Sequence, residues 1–377
     1  MACKKVHQHS ILACHGGAAR IKQLLSVELQ KFDWQVSGSV EILDTPDSSF
    51  RAGERQLSPS ELGAAVEPET LFHLHTTRDW ATACSSLAQK QSKLKSTGLK
   101  PVITLHDISL LKPGDSGHVD LNDVEKYQVE FSLPEIHQHT QDDKRKALLA
   151  LAPILVSPSN WLARQVKMAL PEIGCRLVPN GVESNLFSYP KAREALGVAP
   201  GALVVLFAAH GGTMAQLKGA GEWRVIWAGI KAKVPNAVAF MVGGDRENRV
   251  DDLIEWPYVE HDKLQTLMAA ADLLVYPSLA DNHPLVVLEA MSASTAVCAY
   301  KVGGIPEQVR HGQTGVLVDP KAKEALIEEC AKMLLTPGLA REMGKAGRAV
   351  YDRYFKAEDM ARQYQDIYLE LLSGAGS

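Results

Sequence analysis

The stretch DLLVYPSLADNHPLVVLEAMSASTAVCAY, residues 272–300, reads as strand, turn, helix and strand in succession. DLLVYPS (272–278) and TAVCAY (295–300) are short apolar runs of strand length, closed by turn residues. Between them Pro284 stands at an early helix position, where it has no N–H to lose, so a helix is expected to begin near His283. A strand, a crossover helix and a second strand make the parallel βαβ unit. In that unit Asp281 falls in the strand-to-helix turn and Glu289 roughly two helical turns on. Leu285, Val286, Val287 and Leu288 would pack behind them. Turns at the carboxyl ends of parallel strands are where α/β sheets bind ligands.

The same alternation runs outward on both sides. ALVVLFAAHGG (202–212) is a strand with a glycine-rich turn, GEWRVIWAGIKAKV (221–234) a helix and AVAFMVGG (237–244) a strand. DKLQTLMAAA (262–271) is a helix with Asp262 as its expected N-cap, and GVLVDP (315–320) another strand. Three helical segments close the chain near 321–335, 338–353 and 357–372. In the first half LFHLH (71–75), KPVITLH (100–106) and APILVSPS (152–159) read as buried strands. Helical periodicity marks 19–32, 80–96 and the stretch from Trp161 to Leu170. The polar, His-rich stretch from Leu111 to Lys146 is expected to be a long functional loop with a short helix. Its His137 and His139 lack a third clear metal ligand and read as solvated.

At 377 residues the chain exceeds the roughly 250–300 at which single cores stop growing, so two domains are expected. Their bounds are expected at 1–185 and 186–356, with a terminal helix, 357–377, packing back on the first. The turn-rich VPNGVESNLFSYP (178–190) serves as linker. A net charge of -4 excludes nucleic-acid binding by bulk electrostatics. Six cysteines (Cys3, Cys14, Cys84, Cys175, Cys298 and Cys330) are scattered without metal spacing and read as thiols of a reducing compartment. No apolar run suits a signal peptide or a spanning helix, so a cytoplasmic location is expected, with room for peripheral contact at the inner membrane face.

Candidate site residues cluster at strand ends. Gly16 and Gly17 precede a helix, whose bare amides and positive end suit a phosphate, although a tight turn explains the pair equally well. His106 ends a strand, where it can donate to a substrate hydroxyl or serve a structural role. Lys218, before Gly219, can neutralise a diphosphate or be a solvated lysine. Gly303 and Gly304 form a second glycine turn before a short helix started by Pro306. Carboxylates at Asp281 and Glu289 suit vicinal hydroxyls, which points to ribose or a hexose.

Together HGGAAR, VITLHD, SPSNWLA, VPNGVESNLF, LKG, MAAADLLVYPSLADNHPLVVLEAM and VGGIPEQVRHGQTGVLV resemble the retaining, nucleotide-sugar-dependent glycosyltransferases of family 4 (glycosyl transferases group 1), through almost the whole chain. The resemblance implies the α/β GT-B fold, two facing Rossmann-like domains with parallel sheets and a cleft between them. It implies transfer of a sugar from a nucleoside-diphosphate sugar to an acceptor hydroxyl with retained anomeric configuration, in glycan, polysaccharide or glycoconjugate biosynthesis. The acceptor would be a sugar, a lipid-linked molecule or another hydroxyl compound bound to the N-terminal domain. No cofactor or metal would be required, and no D-x-D triplet occurs in the chain.

By the same resemblance the E-x7-E pattern falls on Asp281 and Glu289, with Glu289 on the donor ribose. Asp281, Asn282 and His283 would approach the transferred sugar, and Pro284 and Leu285 would also belong to the donor site. Lys218 would offset the diphosphate, Gly16 and Gly17 would lie near its phosphates, and His106 near the sugar. Gly303 and Gly304 would form a donor-domain turn. The chain departs from the pattern twice. Asp281 replaces a glutamate, and no arginine precedes Lys218 in FAAHGGTMAQLKG, leaving His210 or a residue from elsewhere in its place. A nucleotide-sugar epimerase of the same fold, and a nucleotide-sugar-binding protein without turnover, are the alternatives.

Overall fold

The computed structural model describes residues 4–12, 16–41, 55–93, 100–111, 139–208, 219, 221–244 and 246–374. The chain divides into two compact units, Met1–Asn180 with Ala357–Ser377, and Gly181–Lys356.

In the first unit the strands are β1 (Lys5–Ser10), β2 (Gln35–Glu41), β3 (Arg55–Leu57), β4 (Thr70–Leu74), β5 (Val102–Thr104), β6 (Ile154–Ser157) and β7 (Cys175–Leu177). They form one sheet in the order β3-β2-β1-β4-β5-β6-β7, with every pairing parallel. Helices α1 (Gly17–Lys31), α2 (Trp80–Lys93), α3 (Gln141–Leu151) and α4 (Asn160–Ala169) supply crossovers. The interior strands β4 and β5 are buried on both faces, as parallel sheets favour. The interior strand β1 was not legible as one, because KVHQHS is mostly polar. His7, Gln8, His9 and Ser10 are nevertheless buried. His7 spans Ser37 and Ser39 through its two ring nitrogens, at 2.9 and 2.8 Å, so its polar atoms are satisfied inside the sheet.

The long loop expected at 111–146 falls largely outside the described residues. Its described end is α3, started by Thr140, whose hydroxyl accepts from the Asp143 amide while the Asp143 carboxylate takes the Thr140 amide.

The second unit begins with α5 (Tyr189–Ala195), followed by β8 (Leu203–Ala208), α6 (Trp223–Lys233), β9 (Ala237–Val242), β10 (Asn248–Val250), β11 (Leu253–Trp256) and α7 (His261–Ala270). After these come β12 (Leu273–Tyr276), α8 (Leu285–Ser292), β13 (Ala296–Tyr300), α9 (Ile305–Gln308), β14 (Gly315–Val318), α10 (Lys323–Leu335) and α11 (Leu339–Tyr354). The sheet runs β10-β11-β9-β8-β12-β13-β14, and only the β10–β11 hairpin is antiparallel. Val205, Leu206, Leu274, Val275, Val297 and Cys298 are fully buried at its centre. Phe207 stacks on Trp223 with ring centroids 4.7 Å apart, tying α6 to the sheet. Asp262 does not cap α7; Glu260 holds that position, and Asp262 lies in the first turn, where the helix dipole favours an acid. The last helix, α12 (Ala357–Leu372), belongs to the first unit. Its Tyr368 hydroxyl lies 2.6 Å from His73 Nδ1, and its Tyr364 hydroxyl 2.7 Å from Thr104 Oγ1.

Both sheets reverse direction once, between β1 and β4 and between β8 and β12. Those are the switch points beside which open α/β sheets hold ligands. This is the Rossmann-like arrangement, present twice.

Candidate functional site

The turn after β12 is built from both ends. Tyr276, fully buried at the strand terminus, donates its hydroxyl to Asp281 Oδ2 at 2.7 Å. Ser278 Oγ donates to the Ala280 carbonyl at 3.0 Å, tightening the turn between them. Helix α8 starts at Leu285, two residues later than the sequence suggested. Pro284 is its N-cap in an extended conformation, φ −61° and ψ 127°. A residue before proline is disfavoured in the helical region, so His283 stays outside the helix.

Gln308, at the end of α9, holds the same turn. Its Nε2 donates to the Pro284 carbonyl and to His283 Nδ1, both at 3.1 Å. A carbonyl only accepts, so the amide nitrogen is fixed on this side and His283 Nδ1 must accept. His283 therefore carries its hydrogen on Nε2, and burial pushes its pKa down to about 3, keeping it neutral. From above, Gly303 adopts φ +52°, and a Cβ there would lie 1.8 Å from the Asp281 carbonyl oxygen. Only glycine permits that approach. The structure thus brings Asp281, Asn282, His283, Pro284, Gly303 and Gly304 together; the Gly304 amide faces the Asp281 carbonyl at 3.4 Å. Asn282 and His283 are buried, and Glu289 on the second turn of α8 is 9% exposed. Val287 and Leu288 are fully buried, while Leu285 and Val286 pack half-buried against the same core.

Across the switch point, Gly219 adopts φ +84°, with its Cβ position 2.6 Å from the Pro277 carbonyl oxygen. The end of the β8–α6 connection therefore lies against the end of β12. Lys218 and His210 fall outside the described residues. Helix α6 starts at Trp223, after its N-cap Glu222.

In the first unit Gly16 is the N-cap of α1, at φ 86° and ψ 165°, and its carbonyl accepts from the Arg20 amide at 3.1 Å. Gly16 and Gly17 are exposed, and among the described residues outside the helix no heavy atom lies within 4 Å of a Cβ placed at either. His106 follows β5 and is half-buried. Its Nε2 lies 3.2 Å from His75 Nδ1, with the two rings stacked at 5.5 Å. Burial pushes His106 down to about 4, so its ring is neutral at ordinary pH.

Sequence reasoning missed several neighbours at these strand ends. Glu41 at the end of β2 takes two hydrogen bonds from Arg78, from the amide at 3.1 Å and from Nε at 3.0 Å. Asp79 caps α2 by accepting from the Thr82 amide at 3.0 Å. His139 Nε2 stands 3.3 Å from Asp79 Oδ1, so His139 is an engaged residue and not the solvated one expected; His137 is outside the described residues. The available signal was HLHTTRD (73–79), a dense polar run at a strand end. Among the described residues no group of three or more His, Cys, Asp or Glu is placed to hold a metal ion. No helix among them is long and apolar enough to cross a membrane.

Residues 190–350 match the family model of glycosyl transferases group 1. The chain is 32% identical over 196 residues to D-inositol 3-phosphate glycosyltransferase of Segniliparus rotundus, covering 47% of this chain and 43% of that protein. It is 41% identical over 112 residues to alpha-maltose-1-phosphate synthase of Mycolicibacterium smegmatis, covering 28% of this chain and 29% of that protein. The chain thus spans less than half the length of these curated relatives. Among solved structures, sucrose-phosphate synthase from Thermosynechococcus elongatus superposes with a TM-score of 0.72 at 19% identity, covering 98% of this chain and all of that one (100%). Anabaena Alr3699/HepE in complex with UDP-glucose gives 0.68 at 17% identity, covering 98% and 99%. At such identities the superpositions establish the GT-B fold.

Proposed function

We propose that this chain, whose residues 190–350 match the family model of glycosyl transferases group 1, moves a sugar from a nucleoside-diphosphate sugar to an acceptor hydroxyl. The observation that carries the reading is the turn from Asp281 to Leu285. It is held by Tyr276, Gln308 and Gly303 at a switch point, where α/β sheets bind ligands. Rigid support of this kind is what a transferase needs to hold a sugar within reach of an incoming hydroxyl.

In this proposal Glu289 accepts hydrogen bonds from the ribose hydroxyls, and the turn bearing Asp281, Asn282, His283, Pro284 and Leu285 meets the transferred sugar. Gly303 and Gly304 keep that turn in place. Lys218 and helix-end amides, including those at Gly16 and Gly17, stabilise the diphosphate as the glycosidic C–O bond breaks toward it. The acceptor oxygen forms the new bond with the anomeric configuration retained, its proton passing to the departing diphosphate, and His106 hydrogen-bonds the sugar. Asp281 and Glu289 act as hydroxyl grips, so no covalent nucleophile and no metal cofactor are assigned. The named relatives support glycan or glycoconjugate biosynthesis as the setting and a sugar or other hydroxyl compound as the acceptor.

The test is a panel of UDP-, GDP- and ADP-sugars incubated with and without hydroxyl acceptors, following nucleoside diphosphate release. Release that depends on an acceptor supports transfer. Conversion of the donor sugar without any acceptor indicates an epimerase, and no binding or turnover with any donor removes the enzyme reading.

A further inference from the structure

Helix α11 carries Arg348 and Tyr351 on one face, and Phe355, its C-cap, continues that face one turn on. Arg348 is aimed by its neighbours. Its Nε donates to Asp352 Oδ2 at 2.9 Å, and its Cζ lies 5.4 Å from the centre of the Tyr351 ring. Its Nη1 donates to the Ser292 carbonyl at the C-terminus of α8, where the helix dipole favours a cation. A guanidinium only donates and a carbonyl only accepts, so the direction of this bond is fixed by chemistry. Ser292 in turn donates its hydroxyl to the Glu289 carbonyl at 2.8 Å. Farther along the same face, the Phe355 ring meets the His283 ring edge-on, with centroids 5.7 Å apart. Both ends of the stretch 283–292 thus rest on one helix. Between these contacts the Tyr351 hydroxyl donates to the Val182 carbonyl at 2.9 Å, with Ser184 Oγ 3.2 Å away. The Val182 amide donates to the Phe355 carbonyl at 3.0 Å. Gly344 lets α11 lie this close, since a Cβ there would stand 2.0 Å from the Ser294 carbonyl oxygen, just past α8.

Helix α8 has eight residues, too few to hold its shape in isolation, so its position depends on what fastens its ends. Gln308 fastens the first end through the Pro284 carbonyl, and Arg348 fastens the last through Ser292. We propose that Arg348 and Phe355 are positioning residues for the Asp281–Glu289 segment. Arg348 sets the height of Glu289 on α8, Phe355 backs the turn at His283, and Tyr351 anchors the helix that carries both to residues 182–184. The mechanical half stands on these contacts alone; the donor half rests on the glycosyl-transfer reading.

The experiment is native-state hydrogen exchange on the full chain without ligand, followed by titration calorimetry. The reporting amide is that of Ala293, which donates to the Glu289 carbonyl at 3.1 Å. Arg348→Met keeps the aliphatic stem and removes the donors. It is expected to speed exchange at Ala293 at least about tenfold, while the β8 and β9 amides keep their wild-type rates. Arg348→Lys keeps the charge without the planar fork and is expected to fall between wild type and Arg348→Met. It carries the same readout should the Met variant not fold. Wild-type exchange at Ala293 in the variants overturns the proposal. So does equal acceleration across α8, β8 and β9, which would make Arg348 a general stability contact. In the titrations UDP, GDP and ADP are each added to wild type. Arg348→Met and Phe355→Leu should weaken whichever binds by about tenfold. Equal affinity overturns the donor half alone. No binding of any of the three to wild type removes the glycosyl-transfer reading, while the exchange result still decides the positioning of α8.

Discussion

Acid should loosen the first unit through a histidine that has no room for a proton. His73 is fully buried on β4, its Nδ1 2.6 Å from the Tyr368 hydroxyl and its Nε2 2.7 Å from Thr104 Oγ1. Burial first, and the nearby His106 second, push its pKa from 6.5 to about 3. The folded pKa is depressed, so the unfolded chain binds a proton that the folded chain refuses. Stability is then fully present above pH 6.5 and falls steadily as pH drops toward about 3. The slope for one such group is about 1.4 kcal/mol per pH unit, which amounts to about 2 kcal/mol between pH 6.5 and pH 5. Domains are stable by only ~5–15 kcal/mol, so this one side chain matters. The perturbation is His73→Gln, which keeps a polar amide near both hydroxyls but does not titrate. Protection of the β4 amides against hydrogen exchange, corrected for intrinsic rates, reads the local stability at pH 7 and pH 5. The variant should be the less stable protein at pH 7, and the gap should close by about 2 kcal/mol at pH 5. Other titrating groups, His7 among them, cancel in that difference. A gap of equal size at both pH values would refute the reasoning, since His73 would then not resist protonation in the fold.

Three further outcomes follow from the site. Gly303→Ala places a Cβ 1.8 Å from the Asp281 carbonyl oxygen at a positive φ, so the 281–284 turn must move; donor affinity should fall at least tenfold by titration calorimetry, and unchanged affinity would detach this turn from the donor. Tyr276→Phe removes the hydroxyl bound to Asp281 and should lower kcat more than it raises KM, by about tenfold, in steady-state assays; a pure KM effect would count against positioning of the transferred sugar. Lys218→Ala should lower kcat by about 10² or more if the lysine stabilises the departing diphosphate, and unaltered kinetics would return it to a solvated lysine.

The second unit was the more legible half because its strands are continuous apolar runs. ALVVLFA, AVAFMV, DLLVY and TAVCAY cannot be read otherwise once turn residues bound them. In the first unit β1 was hidden by its own chemistry. Histidine normally signals a surface, and here the serines of β2, distant in sequence, give His7 and His9 their hydrogen-bond partners. Three-residue strands such as β3 and β7 leave no period to detect. At the site, Asp281 and the glycine turn at 303–304 were visible as separate strand-end signals. Their contact was not, because it depends on how β12 and β13 lie side by side. The grip of Gln308 on His283 and Pro284 was equally silent. A glutamine in a short helix has many partners open to it, and only packing chooses one. The helix start was misjudged for a local reason, the restriction that Pro284 places on the residue before it.

The placement of the donor on the second unit is best settled by titrating nucleoside diphosphate into wild type and Glu289→Ala. A melting curve should accompany each titration to show that α8 remains folded. A carboxylate gripping ribose hydroxyls contributes charge-assisted hydrogen bonds, so the variant should bind about 10–100-fold more weakly. Equal affinity in the two proteins, with the variant folded, would place the nucleotide elsewhere and contradict a donor site on the Asp281–Glu289 segment.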